Sequence, residues 1–288
     1  MTALAQYQDG YWWSKDNLRL HYRDYAGGGA GRPPIICIPG LTRNARDFEA
    51  VAARLAPQWR FICVDLRGRG DSAYAKDSMT YAPLTYVQDI DALLDTLEIK
   101  RFVAFGTSLG GIVTMLLAST EPGRIAGALL NDVGPVVETR GIERLMAYVG
   151  KSQSWPTWIH AARALAEQQN TVYPHFALVD WLAHAKRLYR LTAQGKIMVD
   201  YDPKIAEPLR IPAGEFDMWP AFEALGDVPL LIIRGALSDV FAHTTAEKMV
   251  EKLPQATLLT VAGTGHAPLL FESEVSVAID QLLGKVTS

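Results

Sequence analysis

The sequence predicts an α/β fold: a mostly parallel sheet with helices on both faces. Short, continuous apolar runs recur along its 288 residues, helical patterns separate them, and the alternation breaks once before resuming. A run apolar at every position fits a strand buried on both faces, as in a parallel sheet. Alternation of strand and helix then sets helices against both sides.

The runs are Pro34–Ile38, Phe61–Val64, Phe102–Phe105, Ala126–Leu130, Pro229–Ile233 and Thr257–Val261. Between them, Phe48, Val51, Ala52 and Leu55 fall on one helical face, as do Val87, Ile90, Leu94 and Leu97. Thr85 and Gln88 have the spacing of a capping box at the start of the second helix. Ile112, Met115, Leu116 and Ala118 continue the pattern after the third run. The first strands differ. Tyr11–Trp13 and Leu18–Arg23 flank Ser14-Lys15-Asp16-Asn17, which predicts an antiparallel hairpin at one edge. Gly27 to Gly31 is a short flexible loop.

From Val136 to Phe222 the alternation is lost. Helical stretches over 159–169 and 180–191 carry many aromatics, and the buried-strand rhythm returns at Val228. The expectation is one core domain, 1–135 and 223–288, with a helical cap of 136–222 inserted after the sixth strand.

Composition bounds the function. With 49% hydrophobic and 20% charged residues the chain reads as globular. A net charge of −3 argues against a nucleic-acid partner. No apolar run approaches the roughly 18 residues of a membrane span. Residues 1–6 show no basic head before an apolar stretch, so the expected location is the cytoplasm. Cys37 and Cys63 lie near the ends of two strands that could be neighbours; a disulfide is conceivable, but two reduced core thiols is the preferred reading.

Gly106-Thr107-Ser108-Leu109-Gly110 is a G-x-S-x-G motif. Alone it is weak, since about 0.1 chance matches are expected in a chain of this length. Its context is specific: it follows an apolar strand and opens a helix, where a nucleophile elbow must sit. The turn lifts the hydroxyl above the sheet edge and places it at a helix N-terminus, which favours developing negative charge.

With this elbow the chain resembles the α/β-hydrolase family along nearly its whole length. The resemblance extends to Ile38-Pro39-Gly40-Leu41-Thr42, Asp65 to Ser72, Arg234 to Asp239 and Gly265-His266-Ala267-Pro268. It implies an eight-stranded, mostly parallel sheet with a helical cap over the site. It also implies a triad of Ser108 as nucleophile, His266 as general base and Asp239 as the acid orienting it. Asp132, at the end of the preceding strand, is the rival acid and is otherwise read as a turn residue. The oxyanion donors implied are the backbone N–H groups of Leu41 and Leu109. The family often carries His-Gly before the first; here it is Pro39-Gly40. Asp65 to Ser72 reads as structural, its arginines and aspartates locking neighbouring segments.

A serine at position 108 excludes the alkyl-ester mechanisms of related dehalogenases and epoxide hydrolases, which need aspartate there. Esterases and lactonases of small, partly apolar substrates fit best, through an acyl-enzyme. Carbon–carbon hydrolases of ring-fission products usually carry a tryptophan after the histidine, where this chain has Ala267. A triad-bearing binding protein with slow turnover is the reading from another class. The expected partners are a small ester or lactone and water, with the protein as monomer or small homo-oligomer. No metal or cofactor is expected: no histidine pair has metal spacing, and the glycine-rich turn lacks a P-loop ending. In the cap, Leu145, Met146, Trp155, Trp158 and Trp181 are the candidate substrate wall, and a cap histidine among His160, His175 and His184 could touch substrate.

Overall fold

The computed structural model describes residues 6–29, 31–211 and 216–287. Residues 1–5, on which the N-terminal reading rests, lie outside the described residues. So do Ala30 of the glycine-rich loop, 212–215 of the expected cap, and Ser288.

In chain order the core opens with β1 (Gln8–Trp13), β2 (Arg19–Tyr25) and β3 (Ile35–Ile38). It continues through α1 (Glu49–Leu55), β4 (Phe61–Asp65), α2 (Pro83–Thr96), β5 (Phe102–Thr107), α3 (Leu109–Thr120) and β6 (Ile125–Asn131). The inserted segment holds α4 (Thr139–Met146), β7 (Ser154–Trp155), α5 (Trp158–Gln169), α6 (Leu178–Leu188), β8 (Tyr189–Leu191) and β9 (Ile197–Val199). After it come α7 (Trp219–Glu223), β10 (Leu230–Gly235), α8 (His243–Lys252), β11 (Thr257–Val261) and α9 (Ser273–Thr287).

Eight strands form one sheet in the order β1-β2-β4-β3-β5-β6-β10-β11. Only β2 runs against the rest, pairing antiparallel with both β1 and β4. The apolar runs become strands because both faces are covered. Ile36, Ile38, Ile62 and Val64 face the core built on α2 and α3, whereas Ile35, Cys37, Phe61 and Cys63 face the core built on α1 and α9. This period of two divides one continuous apolar run between two cores. Cys37 and Cys63 are register partners on β3 and β4, buried and unbridged.

Local details depart from expectation. α2 starts at Pro83 with Ala82 as its cap residue, so Thr85 lies inside the helix and caps nothing. Proline at the first helical position has its φ set for the helix and lacks an N–H that would go unpaired there. The insertion is less helical than expected: β7, β9 and β8 make a small antiparallel sheet. α7 packs against α3, with Phe222 fully buried, and so joins the helices flanking the main sheet.

The loop from Asp65 to Ser72 knots the first half of the chain together. Arg67 is 1% exposed and bonds Asp89 on α2 at 2.7 Å and Asp16 of the hairpin at 2.9 Å. Asp65 accepts from the backbone of Ala45 and Asp71 and from His21.

Gly110 shows how closely the elbow is packed: a Cβ there would lie 1.9 Å from the Ile38 carbonyl oxygen. Gly110→Ala is expected to destabilise the fold by about 1–3 kcal/mol, the usual cost of forcing atoms into a packed core. Gly284 lies in α9 with open space around it. Gly284→Ala should stabilise by about 0.5–1 kcal/mol. Urea unfolding of the two variants beside the parent checks the opposite signs; equal effects would contradict this packing.

Candidate active site

β5 ends at Thr107 and α3 begins at Leu109, so Ser108 alone makes the turn between strand and helix. Its backbone is left-handed, with φ 52° and ψ −116°, a region costly for a side-chain-bearing residue. The surroundings hold it there. Its N–H donates to the Asn131 carbonyl at 2.9 Å, and the flanking glycines let strand and helix approach. A Cβ at Gly106 would lie 2.5 Å from the Gly110 oxygen.

His266 lies on the loop between β11 and α9. The Gly265 N–H donates to Val172 of α5's trailing loop at 2.7 Å, and Tyr173 Oη donates to the Ala267 carbonyl at 2.7 Å. Asn131 Nδ2 holds the Pro268 carbonyl at 2.8 Å. Fixed from both sides, the imidazole sets Nε2 2.9 Å from Ser108 Oγ.

The carboxylate behind that imidazole is Asp132, not Asp239. Asp132 Oδ2 lies 2.7 Å from His266 Nδ1 and 2.6 Å from Ser238 Oγ, while Oδ1 accepts from the Gly235 N–H at 2.7 Å. Its side chain is fully buried. β6 and β10 are neighbours, so an aspartate in the loop after either one lies at the same sheet edge. Asp132 directly follows β6, with φ 56°, and is held in place by the Gly235 and Ser238 donors.

Asp239 is drawn away by the insertion. Arg144 on α4 grips it through both oxygens, at 2.5 and 2.9 Å. The Glu138 N–H holds the neighbouring Val240 carbonyl at 2.9 Å. Burial opposes the Asp239 carboxylate, but the Arg144 fork outweighs it and holds its pKa below the ordinary value. The expected acid is therefore a clasp between the insertion and the sheet edge.

Leu41 lines the small cavity that Ser108 opens into. Its carbonyl accepts from Arg69 Nε at 2.9 Å, and its N–H has no partner among the described residues. The Leu109 N–H opens α3, where no helical carbonyl stands four residues back. The cavity is about 40 Å³, and His266 also lines a larger one of about 600 Å³ together with Arg144, Val172 and Asp239. Arg43, Leu145, Tyr148 and Gln169 complete the wall of the smaller cavity with Thr42 and Ala267.

Of the five candidate wall residues, only Leu145 lines this cavity. Trp181 is buried in a ring cluster with Tyr173 and Phe176, and Trp155 stacks on Tyr189 at 4.7 Å. Met146 and Trp158 are partly buried against the same core. A segment of this size needs its own apolar interior, and the aromatics supply it. His184 is fully buried behind Arg43, while His160 bonds Thr157 on the surface. Arg43, Tyr148 and Gln169 were not anticipated; the nearest sequence signal is that Arg43 stands two residues after Leu41.

The chain belongs to the alpha/beta hydrolase family, whose model matches residues 35–278. An alpha/beta hydrolase from Novosphingobium aromaticivorans, known by crystal structure, is 53% identical, with a TM-score of 0.94 over 98% of this chain and 100% of that one. A 3-hydroxybutyrate-oligomer hydrolase of Cupriavidus necator is 31% identical over 90% of this chain and 91% of its own. A 2-(acetamidomethylene)succinate hydrolase of Mesorhizobium japonicum is 26% identical over 91% and 88%. Among the described residues, no helix is long and apolar enough to cross a membrane.

The Arg144–Asp239 clasp has a pH signature. A carboxyl whose pKa is lower folded than unfolded stabilises above its unfolded value, and that contribution fades as pH falls through the folded value. Arg144→Met should therefore unfold in less urea than the parent at pH 6. The gap should narrow below about pH 3.8, the ordinary value for the aspartate, as Asp239 takes up its proton. A gap unchanged by acid would mean that the Arg144–Asp239 ion pair is not its source.

Proposed function

We propose that this protein is a serine hydrolase of small carboxylic esters or lactones, with Ser108 as nucleophile, His266 as general base and Asp132 as the acid behind it. The observation that carries the reading is the unbroken hydrogen-bond chain from Ser108 Oγ through the imidazole to a buried carboxylate. A serine hydroxyl is a poor nucleophile until a base takes its proton. His266 Nε2 is within reach of that proton. Asp132 fixes the imidazole as the tautomer with its proton on Nδ1 and stabilises the imidazolium that forms.

Ser108 Oγ adds to the ester carbonyl as its proton passes to His266. The tetrahedral oxyanion is stabilised by the N–H groups of Leu41 and Leu109, aided by the positive end of α3. His266 returns the proton to the departing alkoxide, leaving an acyl-serine. Water then attacks under the same base, releasing the acid and restoring the hydroxyl. The insertion acts as the cap: Leu145, Tyr148 and Gln169 from it close the cavity and limit water.

Seven of the eleven residues that line the Ser108 cavity are polar, which favours an acyl group bearing oxygen over a long alkyl chain. The Cupriavidus necator relative, by name a hydrolase of 3-hydroxybutyrate oligomers, points the same way. Short esters of hydroxyacids are the substrates this site would take.

A fluorophosphonate should add one label, on Ser108, and Ser108→Ala should take none. With p-nitrophenyl acetate, Asp132→Asn should lower kcat by on the order of 10⁴-fold, as loss of a triad acid does. Asp239→Asn should lower it by less than about 10-fold, since loosening a clasp costs far less than losing the carboxylate that orients and stabilises the imidazole. The reverse ranking would reject Asp132 as the acid; equal labelling of the parent and Ser108→Ala would reject the covalent mechanism.

A further inference from the structure

Behind the cavity lies a buried group of charges that the ester chemistry does not use. Arg43 follows the turn after Gly40, with its N–H donating to the Gly40 carbonyl at 3.1 Å. A Cβ built on Gly40 would lie 3.3 Å from Arg43 Cγ and 3.6 Å from Ser108 Cβ, so the two side chains flank one glycine. The Arg43 side chain is 13% exposed and lines the same cavity as Ser108. Nε pairs with Asp47 at 3.1 Å, Nη1 meets His184 Nε2 at 3.1 Å, and Nη2 makes a long contact to Tyr173 Oη at 3.4 Å. A guanidinium has five N–H donors. With three engaged, two on Arg43 have no acceptor among the described residues.

His184 cannot satisfy what surrounds it. It is fully buried, with Arg43 on Nε2 and Arg187 Nη2 3.5 Å from Nδ1. A neutral imidazole accepts at one nitrogen only. Burial, reinforced by the two flanking cations, holds it neutral. Arg187 has a buried Nε with no partner and, among the described residues, no ion pair with a carboxylate. Asp47 pairs with Arg43, and Arg187 feels only the longer-range pull of Asp47 and Glu49. Buried charge is normally paired, and an excess cation beside a reactive serine is a place for an anion. The other arginine near His266, Arg144, already has its carboxylate in Asp239.

Building on the ester-hydrolase reading, we propose that Arg43, backed by His184 and Arg187, is the subsite for a substrate carboxylate. The preferred substrates are then short esters that carry a free carboxylate a few atoms from the scissile carbonyl. The planar fork of Arg43 can offer its two free N–H groups to a carboxylate, where a lysine would offer a point charge. A hydroxyacid ester ending in a free acid has this shape.

The test compares two substrates with the same acetyl ester bond: 3-acetoxybutyrate and its neutral amide, 3-acetoxybutyramide. The parent protein should favour the carboxylate in kcat/KM by about tenfold or more, chiefly through KM, as expected for a charged hydrogen bond. Arg43→Gln should bring the ratio of the two substrates near one, and Arg43→Lys should recover part of it. On the unmutated protein, 3-hydroxybutyrate should slow fluorophosphonate labelling of Ser108 at concentrations where 3-hydroxybutyramide does not, an independent readout should the variants not fold. Ser108-dependent hydrolysis with no preference for the carboxylate, or a preference that survives Arg43→Gln, overturns the subsite and leaves the hydrolase reading standing. If neither acetyl ester nor p-nitrophenyl acetate is hydrolysed in a Ser108-dependent way, the hydrolase reading fails, and the subsite with it.

Discussion

The arrangement around Ser108 depends on how Asp132 is held. A carboxylate removed from water is tolerated only when its lone pairs are taken up, and Asp132 has three donors from three places: a backbone N–H at the end of β10, the Ser238 hydroxyl and the His266 ring. Two of these donors lie at the end of β10 and in the loop after it, and the third on the loop after β11. The same carboxylate therefore orients the imidazole and fastens the β10 loop to the end of β6. The cost of burying the charge is offset by groups that would otherwise hold these loops less firmly. Ser108 in turn rests on Asn131, the residue before Asp132, through its own N–H.

The sheet explains why these residues meet. Ser108, Asp132 and the β10 loop follow β5, β6 and β10, which are adjacent and parallel, so their carboxyl ends open on one edge. His266 comes from the loop after β11, the next strand out. The insertion leaves after β6, and its Leu145, Tyr148 and Gln169 line the cavity with Ser108. Its contribution is division of charge as much as shape: Arg144 on α4 engages Asp239, and α6 brings His184 and Arg187 up behind Arg43.

Much of this is legible in the sequence, for a physical reason. The strands are continuous apolar runs because both faces are buried, and that leaves a local signal. Ser108 and His266 also sit in local patterns, a glycine-flanked serine between strand and helix and a histidine in the loop after the last strand. The acid is different. Asp132 and Asp239 follow neighbouring strands, and the chain order of serine, acid and histidine admits both. What separates them is Arg144 and Ser238, contacts made across the fold. The tryptophans of the insertion mislead for a related reason: composition marks them as buried but does not say against what. β7, β8 and β9 are too short for a periodic pattern to form, and Arg43 is one of 28 lysines and arginines until the fold sets it beside Ser108.

The account turns on which aspartate shares a proton with His266, and proton NMR of the imidazole reads this without substrate. A proton held between Nδ1 and a carboxylate oxygen 2.7 Å away resonates at unusually low field and exchanges slowly. On protein labelled with ¹⁵N at histidine, that signal should be present in the parent and in Asp239→Asn, and absent or moved far upfield in Asp132→Asn. A signal that survives in Asp132→Asn and disappears in Asp239→Asn would contradict the assignment and return the acid to the β10 loop.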